Sequence, residues 1–279
     1  MASSSDNISM AVFCDFENVA LGVRDANYEK FDIKPVLERL LLKGSIVVKK
    51  AYCDWDRYKG FKSTMHEANF ELIEIPHVRQ SGKNSADIRM VVDALDLCYT
   101  KSHVDTFVVV SGDSDFSPLV SKLRENDKTV IGVGVKKSTS DLLVSACDEF
   151  IYYDDLVREQ RKVAGRKKQP SPRLAPRGEG ARSAPPAAEA RGEGEDDKVQ
   201  EALDLVLATV DALVEERGED ETIWGSMVKQ TLKRRKPGFN EKYYGFGSFN
   251  ELLEEARSRN LLELERDEKS GGYVVRPAA

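Results

Sequence analysis

Acidic and amide side chains come directly after two of the most apolar runs of the chain. These residues are Asp15, Glu17 and Asn18 after the first run, and Asp113 and Asp115 after the second. Ligands of open parallel sheets bind at the carboxyl ends of the strands, near the point where the strand order reverses. If the two runs form neighbouring strands, Asp15 and Asp113 face each other at that edge.

A third acidic position, Asp87, lies at the start of a helix-like segment that opens on the same edge. Carboxylates crowded together repel one another unless a cation holds them. Because the chain has no cluster of Cys or His, the oxygen donors favour Mg²⁺ or Mn²⁺ over zinc. Such a site can orient a water, lower its pKa and stabilise charge on a phosphodiester.

Each acidic position also has an ordinary structural explanation. Asp15 can belong to a turn after its strand, and Asp115 can cap the helix that follows it. Asp87 can be an N-terminal helix acid that the helix dipole favours. The three positions together favour a metal site over coincidence, whereas Asp93 and Asp96 are predicted to lie on the solvated face of the helix that Asp87 begins.

The elements that must position these acids alternate along residues 1–157. Six continuous apolar runs are typical of strands buried on both faces of a mainly parallel sheet. The predicted strands are Met10–Cys14, Ser45–Cys53, Glu71–Ile75, Thr106–Ser111, Lys128–Val133 and Glu149–Tyr152. The predicted helices are Lys34–Lys43 with a cap at Asp32, Asp56–Asn69, Ser85–Tyr99, Phe116–Asn126 and Ser140–Ala146. The alternation predicts a three-layer α/β domain with right-handed crossovers.

The composition changes after this domain. Residues 158–197 are rich in Pro, Gly and Arg and poor in large apolar residues, which predicts a flexible linker. Its first half is basic, so it is either a solvated tether or an arm that gathers nucleic acid.

A second, smaller domain is predicted over residues 198–279. An amphipathic helix over 199–217 precedes a second helix over 223–236, for which Thr222 is the expected N-cap. Ser248 and Glu251 form the pattern of a capping box at a third helix. Two short strands, 261–265 and 273–276, then predict a hairpin, and the whole order is that of a winged helix.

Composition excludes several classes of protein. Lys and Arg number 42 against 48 Asp and Glu, a formal net charge of −6, which argues against nucleic-acid binding by bulk charge. No apolar run reaches the ~18–20 residues that cross a bilayer, and the first ten residues lack the pattern of a secretory signal. The four cysteines are expected to be buried and reduced, which favours a cytoplasmic protein.

Four motifs in this order resemble the NYN domain of the LabA-like group, which belongs to the PIN-like nucleases. The motifs, between Met10 and Leu156, are FCDFEN, KNSADIRMVVDAL, VVVSGDSDFSPLV and GVGVKKSTSDLLVSACDEFIYYDDL. The resemblance implies a PIN-like Rossmannoid sheet and metal-dependent RNA cleavage. It also implies a role for individual residues: Asp15, Asp87, Asp113 and Asp115 as ligands of Mg²⁺ or Mn²⁺, Asn18 as the group that orients the site or the scissile phosphate, and Glu17 at a variable position.

Three polar residues near the acids are candidate phosphate contacts. Lys83 and Asn84 stand directly ahead of Asp87, where a cation and free helix amides attract a backbone phosphate. Lys136 precedes the last predicted helix of the domain and has the same potential role. The alternative for its segment is simple helix capping by Ser138 or Thr139.

The segment LKRRKPGFNEKYYGFGSFNELL, preceded by Trp224, is similar to the LOTUS domain, also called OST-HTH, over about residues 199–275. The candidate RNA contacts are Lys233, Arg234, Arg235, Lys236, Tyr243 and Tyr244, because single-stranded RNA is held by cations beside aromatic rings. The alternative is that the rings form the core and the cations favour a helix C-terminus. The resemblance implies a winged-helix RNA-binding module, in some members for G-rich RNA and in others for a helicase partner.

The sequence therefore predicts a metal-dependent ribonuclease to which the LOTUS domain delivers RNA. The alternative is a non-catalytic RNA-binding regulator with an inactive NYN domain. A phosphatase or small-nucleotide hydrolase would need a DxDx[TV] motif or a P-loop, and neither occurs.

Overall fold

The computed structural model of the chain describes residues 8–28, 30–75, 85–167, 193–218, 221–267 and 271–278. The chain divides into two compact units, Met1–Lys168 and Gln169–Ala279. In the described part of the chain, no helix is both long enough and apolar enough to cross a bilayer.

The first unit is built on a six-stranded parallel sheet. Its strands are β1 (Ser9–Asp15), β2 (Ser45–Cys53), β3 (Glu71–Glu74), β4 (Thr106–Val110), β5 (Thr129–Gly134) and β6 (Glu149–Tyr152). The strand order is β3-β2-β1-β4-β5-β6, with every pair parallel. The order therefore reverses between β1 and β4, which places the two acid-bearing strand ends side by side, as predicted.

Seven helices belong to the described part of this unit. They are α1 (Phe16–Asp25), α2 (Lys34–Lys43), α3 (Lys59–Glu67), α4 (Ser85–Thr100), α5 (Ser117–Glu125), α6 (Asp141–Ala146) and α7 (Tyr153–Lys167). Alternate residues of β1 enter separate buried clusters, with Val12 in one and Phe13 in the other. The sheet is thus covered on both faces, which explains why its central strands β1 and β4 are nearly continuous apolar runs. This confirms the prediction of a PIN-like α/β fold.

Helix α1 was not predicted; a turn was the alternative considered for the residues after the first strand. In the structure the Asp15 carboxylate accepts a hydrogen bond from the Asn18 backbone amide and thereby caps α1. Gly22 lowers the helix propensity of this segment. A Cβ there would lie 2.3 Å from the Ser138 hydroxyl oxygen, so the glycine lets α1 approach the segment after β5 closely.

The second unit contains α8 (Glu193–Arg217), α9 (Gly225–Arg235) and α10 (Phe249–Ser258), followed by the antiparallel pair β7 (Leu262–Arg266) and β8 (Tyr273–Pro277). The order of three helices and a hairpin agrees with the prediction. The Ser248 hydroxyl accepts from the Glu251 amide as expected, while the Glu251 carboxylate accepts from the Gly247 amide. The N-cap of α9 is Trp224, not Thr222.

The ends of the predicted linker are helical. Helix α7 continues past residue 158 to Lys167, and its first turn is supported by an ion pair from Arg158 to Asp155. Helix α8 begins before residue 198, within an acidic segment that the positive end of a helix dipole favours. Residues 168–192 lie outside the described residues.

Candidate active site at the β1–β4 edge

The site is set by the register of two strands. Cys14 of β1 lies beside Val110 of β4, so the residues that follow each strand leave the sheet together. Asp15 ends β1, and the loop after β4 carries Asp113 and Asp115 into a single 3₁₀ turn, Ser114–Phe116. The acids predicted from strand ends therefore do meet at one edge of the sheet.

Asp15 is the most enclosed of these acids, with 7% of its surface exposed. Its Oδ1 accepts from the Asn18 backbone amide at 3.3 Å, and its Oδ2 accepts from the Ser111 hydroxyl at 3.0 Å. A carboxylate can accept about four hydrogen bonds, so two lone-pair positions are left for another ligand. The two bonds fix the plane of the carboxylate.

Three more hydrogen bonds fix the loop after β4, and the first of them ties it to α1. The Asn18 side-chain oxygen accepts from the Gly112 amide at 2.9 Å. The Ser111 hydroxyl oxygen accepts from the Asp113 amide at 3.2 Å, and the Asp113 carboxylate accepts from the Asp115 amide at 3.0 Å. The Asn18 side chain, predicted to orient the site, thus holds the loop after β4, and its role in the site stays a prediction.

The carboxylates act on one another electrostatically. Burial, together with the charges of Asp87 and Asp113, raises the pKa of Asp15 to about 7, against the lowering effect of the bonds from Asn18 and Ser111. Burial also raises the pKa of Asp87, and so do the nearby charges of Asp113 and Asp115. Asp87, at the start of α4, therefore belongs to the same electrostatic cluster.

The acids lie near one another, but they do not surround a single point at which a metal ion could bind. Within the described ranges, no three Asp, Glu, His or Cys side chains are arranged to hold a single metal ion. The chemistry of the donors fits a hard divalent cation, since every nearby ligand atom is an oxygen. The raised pKa values also fit, because unbalanced negative charge is what a cation would relieve.

Comparison with known proteins identifies the family of the first unit. The sequence model of the NYN domain family matches residues 9–154, slightly more than half of the chain. The chain belongs to the NYN domain family. NYN and PIN-like domains are usually nucleases and typically use divalent metal ions.

The relatives themselves have no described activity. An uncharacterized protein of Methanocaldococcus jannaschii is 26% identical over 138 residues, which are 50% of this chain and 54% of that protein. This chain thus spans about half the length of the curated relative that it matches. A crystal structure of a protein of unknown function from Vibrio parahaemolyticus is 28% identical, with a TM-score of 0.49, and covers 56% of this chain and 98% of that one.

Of the three predicted phosphate contacts of the NYN domain, the structure describes one. Lys83 and Asn84 lie outside the described residues. The Lys136 amide donates to the Asp154 carboxylate at 2.7 Å, and its ammonium lies 5.7 Å from the centre of the Tyr152 ring. These contacts hold Lys136 against the end of β6, and the following helix α6 is capped by Ser140, not by Ser138 or Thr139.

Two features of the NYN domain were missed from the sequence. Ser111, fully buried, bonds both acid-bearing loops, but a serine after a strand gives no signal of such a role. Asp93 was predicted to be solvated and is not. Its carboxylate accepts from the Tyr52 hydroxyl at 2.9 Å and from Lys50 at 3.3 Å, because α4 packs that turn against the sheet.

The remaining side chains near the NYN acids have structural roles. Glu17 accepts from Arg57 at 3.0 Å. Trp55 is buried against Phe16, with ring centres 4.9 Å apart.

Outside the NYN domain, the predicted RNA contacts of the second unit differ in exposure. Tyr243 is 63% exposed, and the Lys198 ammonium lies 5.0 Å from its ring centre. Tyr244 is half-buried and stacks on the buried Phe239 ring at 5.4 Å. Lys233 and Lys236 are exposed, whereas Arg235 donates to the Ala208 carbonyl at 3.4 Å. Arg234 is half-buried.

Proposed function

We propose that this protein is a metal-dependent ribonuclease, which hydrolyses RNA phosphodiester bonds at the β1–β4 edge of its NYN domain. The observation that carries the proposal is the enclosed carboxylate of Asp15, whose pKa is raised to about 7 beside Asp87 and Asp113. A protein that only needed a stable sheet edge would gain nothing from this concentration of negative charge.

Asp15, Asp87, Asp113 and Asp115 are the residues that would hold Mg²⁺ or Mn²⁺. When bound, the cation supplies Lewis-acid stabilisation of charge on the phosphate. Ser111 and the Asn18 amide keep the Asp15 carboxylate in one orientation. The bond from the Gly112 amide to Asn18 keeps the Asp113 loop at a fixed distance from α1.

The second unit is proposed to bind the RNA, as its resemblance to a LOTUS domain implies. The exposed ring of Tyr243, with Lys198 beside it, supports this role, because bases stack on rings while cations meet phosphates. Lys233 and Lys236 add positive charge on the exposed end of α9. The same proposal places the protein in the cytoplasm, which the four free cysteines support.

Cleavage of end-labelled RNA with and without Mn²⁺ tests the proposal. Asp87→Asn is expected to lower the cleavage rate by about 100-fold or more. Mutation of a residue that only orients a metal ligand already lowers metal affinity or activity by about 10–100-fold. Asp96→Asn is the matched control, because Asp96 is an exposed acid on the same helix α4. Equal cleavage by the parent and by Asp87→Asn would mean that another nuclease is responsible, and the proposal would fall.

The second candidate function is RNA binding without turnover. It is favoured by the finding that no three acids of the described residues are arranged around one point. Calorimetric titration with Mn²⁺ separates the two candidates. The nuclease predicts saturable Mn²⁺ binding that Asp113→Asn abolishes, whereas retained RNA binding with no Mn²⁺ uptake and no cleavage supports the regulator.

A further inference from the structure

A depression in the surface of the NYN domain adjoins the acids. Its volume is about 220 Å³. The residues that line it are Asp87, Ile88, Val91, Val92, Asp115 and Phe116. Two candidate metal ligands and four apolar side chains thus share one concavity, and a phosphate bound through a cation at the acids would have its attached nucleoside next to an apolar wall.

The apolar wall is formed by side chains that nothing in the described protein covers. Ile88 is 62% exposed and Val92 is 55% exposed, although both are large aliphatic residues. They are four residues apart on α4, so they lie on one face of the helix and form a continuous strip. Phe116, fully buried, closes the concavity below them.

The size and polarity of the depression select the kind of group it can hold. Ordinary small-molecule sites measure roughly 300–1,000 Å³, so this one suits a single flat group better than a whole ligand. Among the described residues that line it, Asp87 and Asp115 are the ones with polar side chains. An apolar wall without hydrogen-bonding groups contacts the face of a base without distinguishing its edge, which gives tolerance of all four bases.

We propose that Ile88 and Val92 form a binding site for one unpaired nucleobase of the RNA, adjacent to the phosphate that the acids engage. This inference rests on the proposed function, because it takes the acids to be the phosphate site. The base must be unpaired, since the faces of bases within a duplex are stacked on one another and cannot reach the wall. The site therefore makes single-stranded RNA the preferred substrate through α4 as well as through the second unit.

The test combines protein variants with RNA that lacks one base. Short single-stranded oligonucleotides, each with an abasic position at a different place, are bound to the full chain in Ca²⁺, and the affinity is measured by fluorescence anisotropy, with gels verifying that the RNA is intact. The parent protein is expected to lose about fivefold or more in affinity for one abasic position. At that position, the double variant Ile88→Ala, Val92→Ala is expected to bind intact and abasic RNA equally.

The matched control is Leu142→Ala, since Leu142 is 60% exposed on α6 and does not line the depression. This variant should keep the full abasic penalty. Thermal melting should be unchanged in all variants, because the truncated side chains are exposed.

An abasic penalty that is the same in the parent and the double variant overturns the inference. A second result would also overturn it: light scattering shows a dimer for the parent and a monomer for the double variant, and the abasic penalty is unchanged. The strip would then contact a second copy of the chain. If the double variant loses the penalty that the parent shows, but the parent cleaves no RNA with Mg²⁺ or Mn²⁺, the nuclease proposal fails while base binding at α4 stands. The two failures are therefore distinguishable.

Discussion

The charge of Asp15 is expected to destabilise the folded NYN domain whenever no cation is present. Burial and the charges of Asp87 and Asp113 raise its pKa to about 7, from an ordinary value of 3.8. One unit of pKa corresponds to about 1.36 kcal/mol, so ionising this carboxyl at pH 8 costs about 4 kcal/mol more in the folded state than in the unfolded state.

Asp15→Asn removes this cost and keeps an oxygen that can cap α1, since Asn and Asp are equally good N-caps. The Ser111 hydroxyl loses its carboxylate acceptor, which costs about 1–3 kcal/mol. The free energy of unfolding in EDTA at pH 8 is therefore expected to rise by about 2 kcal/mol, while RNA cleavage is lost.

The stability gained by Asp15→Asn is expected to decrease as the pH falls. Between about pH 4 and pH 7 the folded protein holds a proton on Asp15 that the unfolded chain releases, so this group makes the parent less stable as pH rises. At pH 5 most of the cost of ionising Asp15 in the folded state is absent, because the folded protein keeps the proton. The advantage of Asp15→Asn should therefore shrink by about 2–3 kcal/mol between pH 8 and pH 5.

Thiol labelling measures this domain alone, because all four cysteines of the chain lie in its sequence range and Cys14 is fully buried. Protein equilibrated in urea with EDTA at either pH receives a short alkylating pulse at a common pH, and labelling of Cys14 reports the unfolded fraction. Asp96→Asn should not differ from the parent. No gain at pH 8, or an equal gain at both pH values, would refute the electrostatic argument.

Three further substitutions have defined outcomes. Ser111→Ala should lower kcat/KM for RNA cleavage by about 10–100-fold, because the Asp15 carboxylate loses its orienting donor; a rate equal to that of the parent would contradict this role. Gly112→Ala should cost about 1–3 kcal/mol in urea unfolding and also slow cleavage, since the new Cβ would lie 2.6 Å from the Ser138 carbonyl oxygen. Tyr243→Ala should weaken RNA binding in anisotropy measurements by about 1–3 kcal/mol and leave the melting temperature unchanged; unchanged affinity would remove this ring from the RNA surface.

The sheet was predictable because burial on both faces demands continuous apolar strands, and such runs are visible without a structure. The bounds of β2 and β6 agree with the prediction to the residue. Helix α1 was not predictable from periodicity. It contains Gly22, whose cost to the helix is accepted so that Ser138 can pack closely, a reason that exists only in three dimensions.

The site was predictable in its acids and not in its supports. Asp15 and Asp113 follow the strand-end rule, which depends only on the strands being neighbours. The role of Ser111 depends on the register of β1 against β4, which no local pattern encodes. Asp93 was placed wrongly because the face that α4 turns to Lys50 and Tyr52 depends on how the helix packs on the sheet.

The bond from Ser111 to Asp15 joins residues 96 positions apart in the chain, and this separation has a kinetic consequence. Contacts of such long range form slowly, because a large loop must close before they contribute. The acids repel one another only after β1 and β4 have paired. The repulsion therefore does not oppose the early collapse of the hydrophobic clusters. A divalent ion that relieves this repulsion is therefore expected to act after the rate-limiting barrier, lengthening the lifetime of the native state more than it shortens the time needed to reach it.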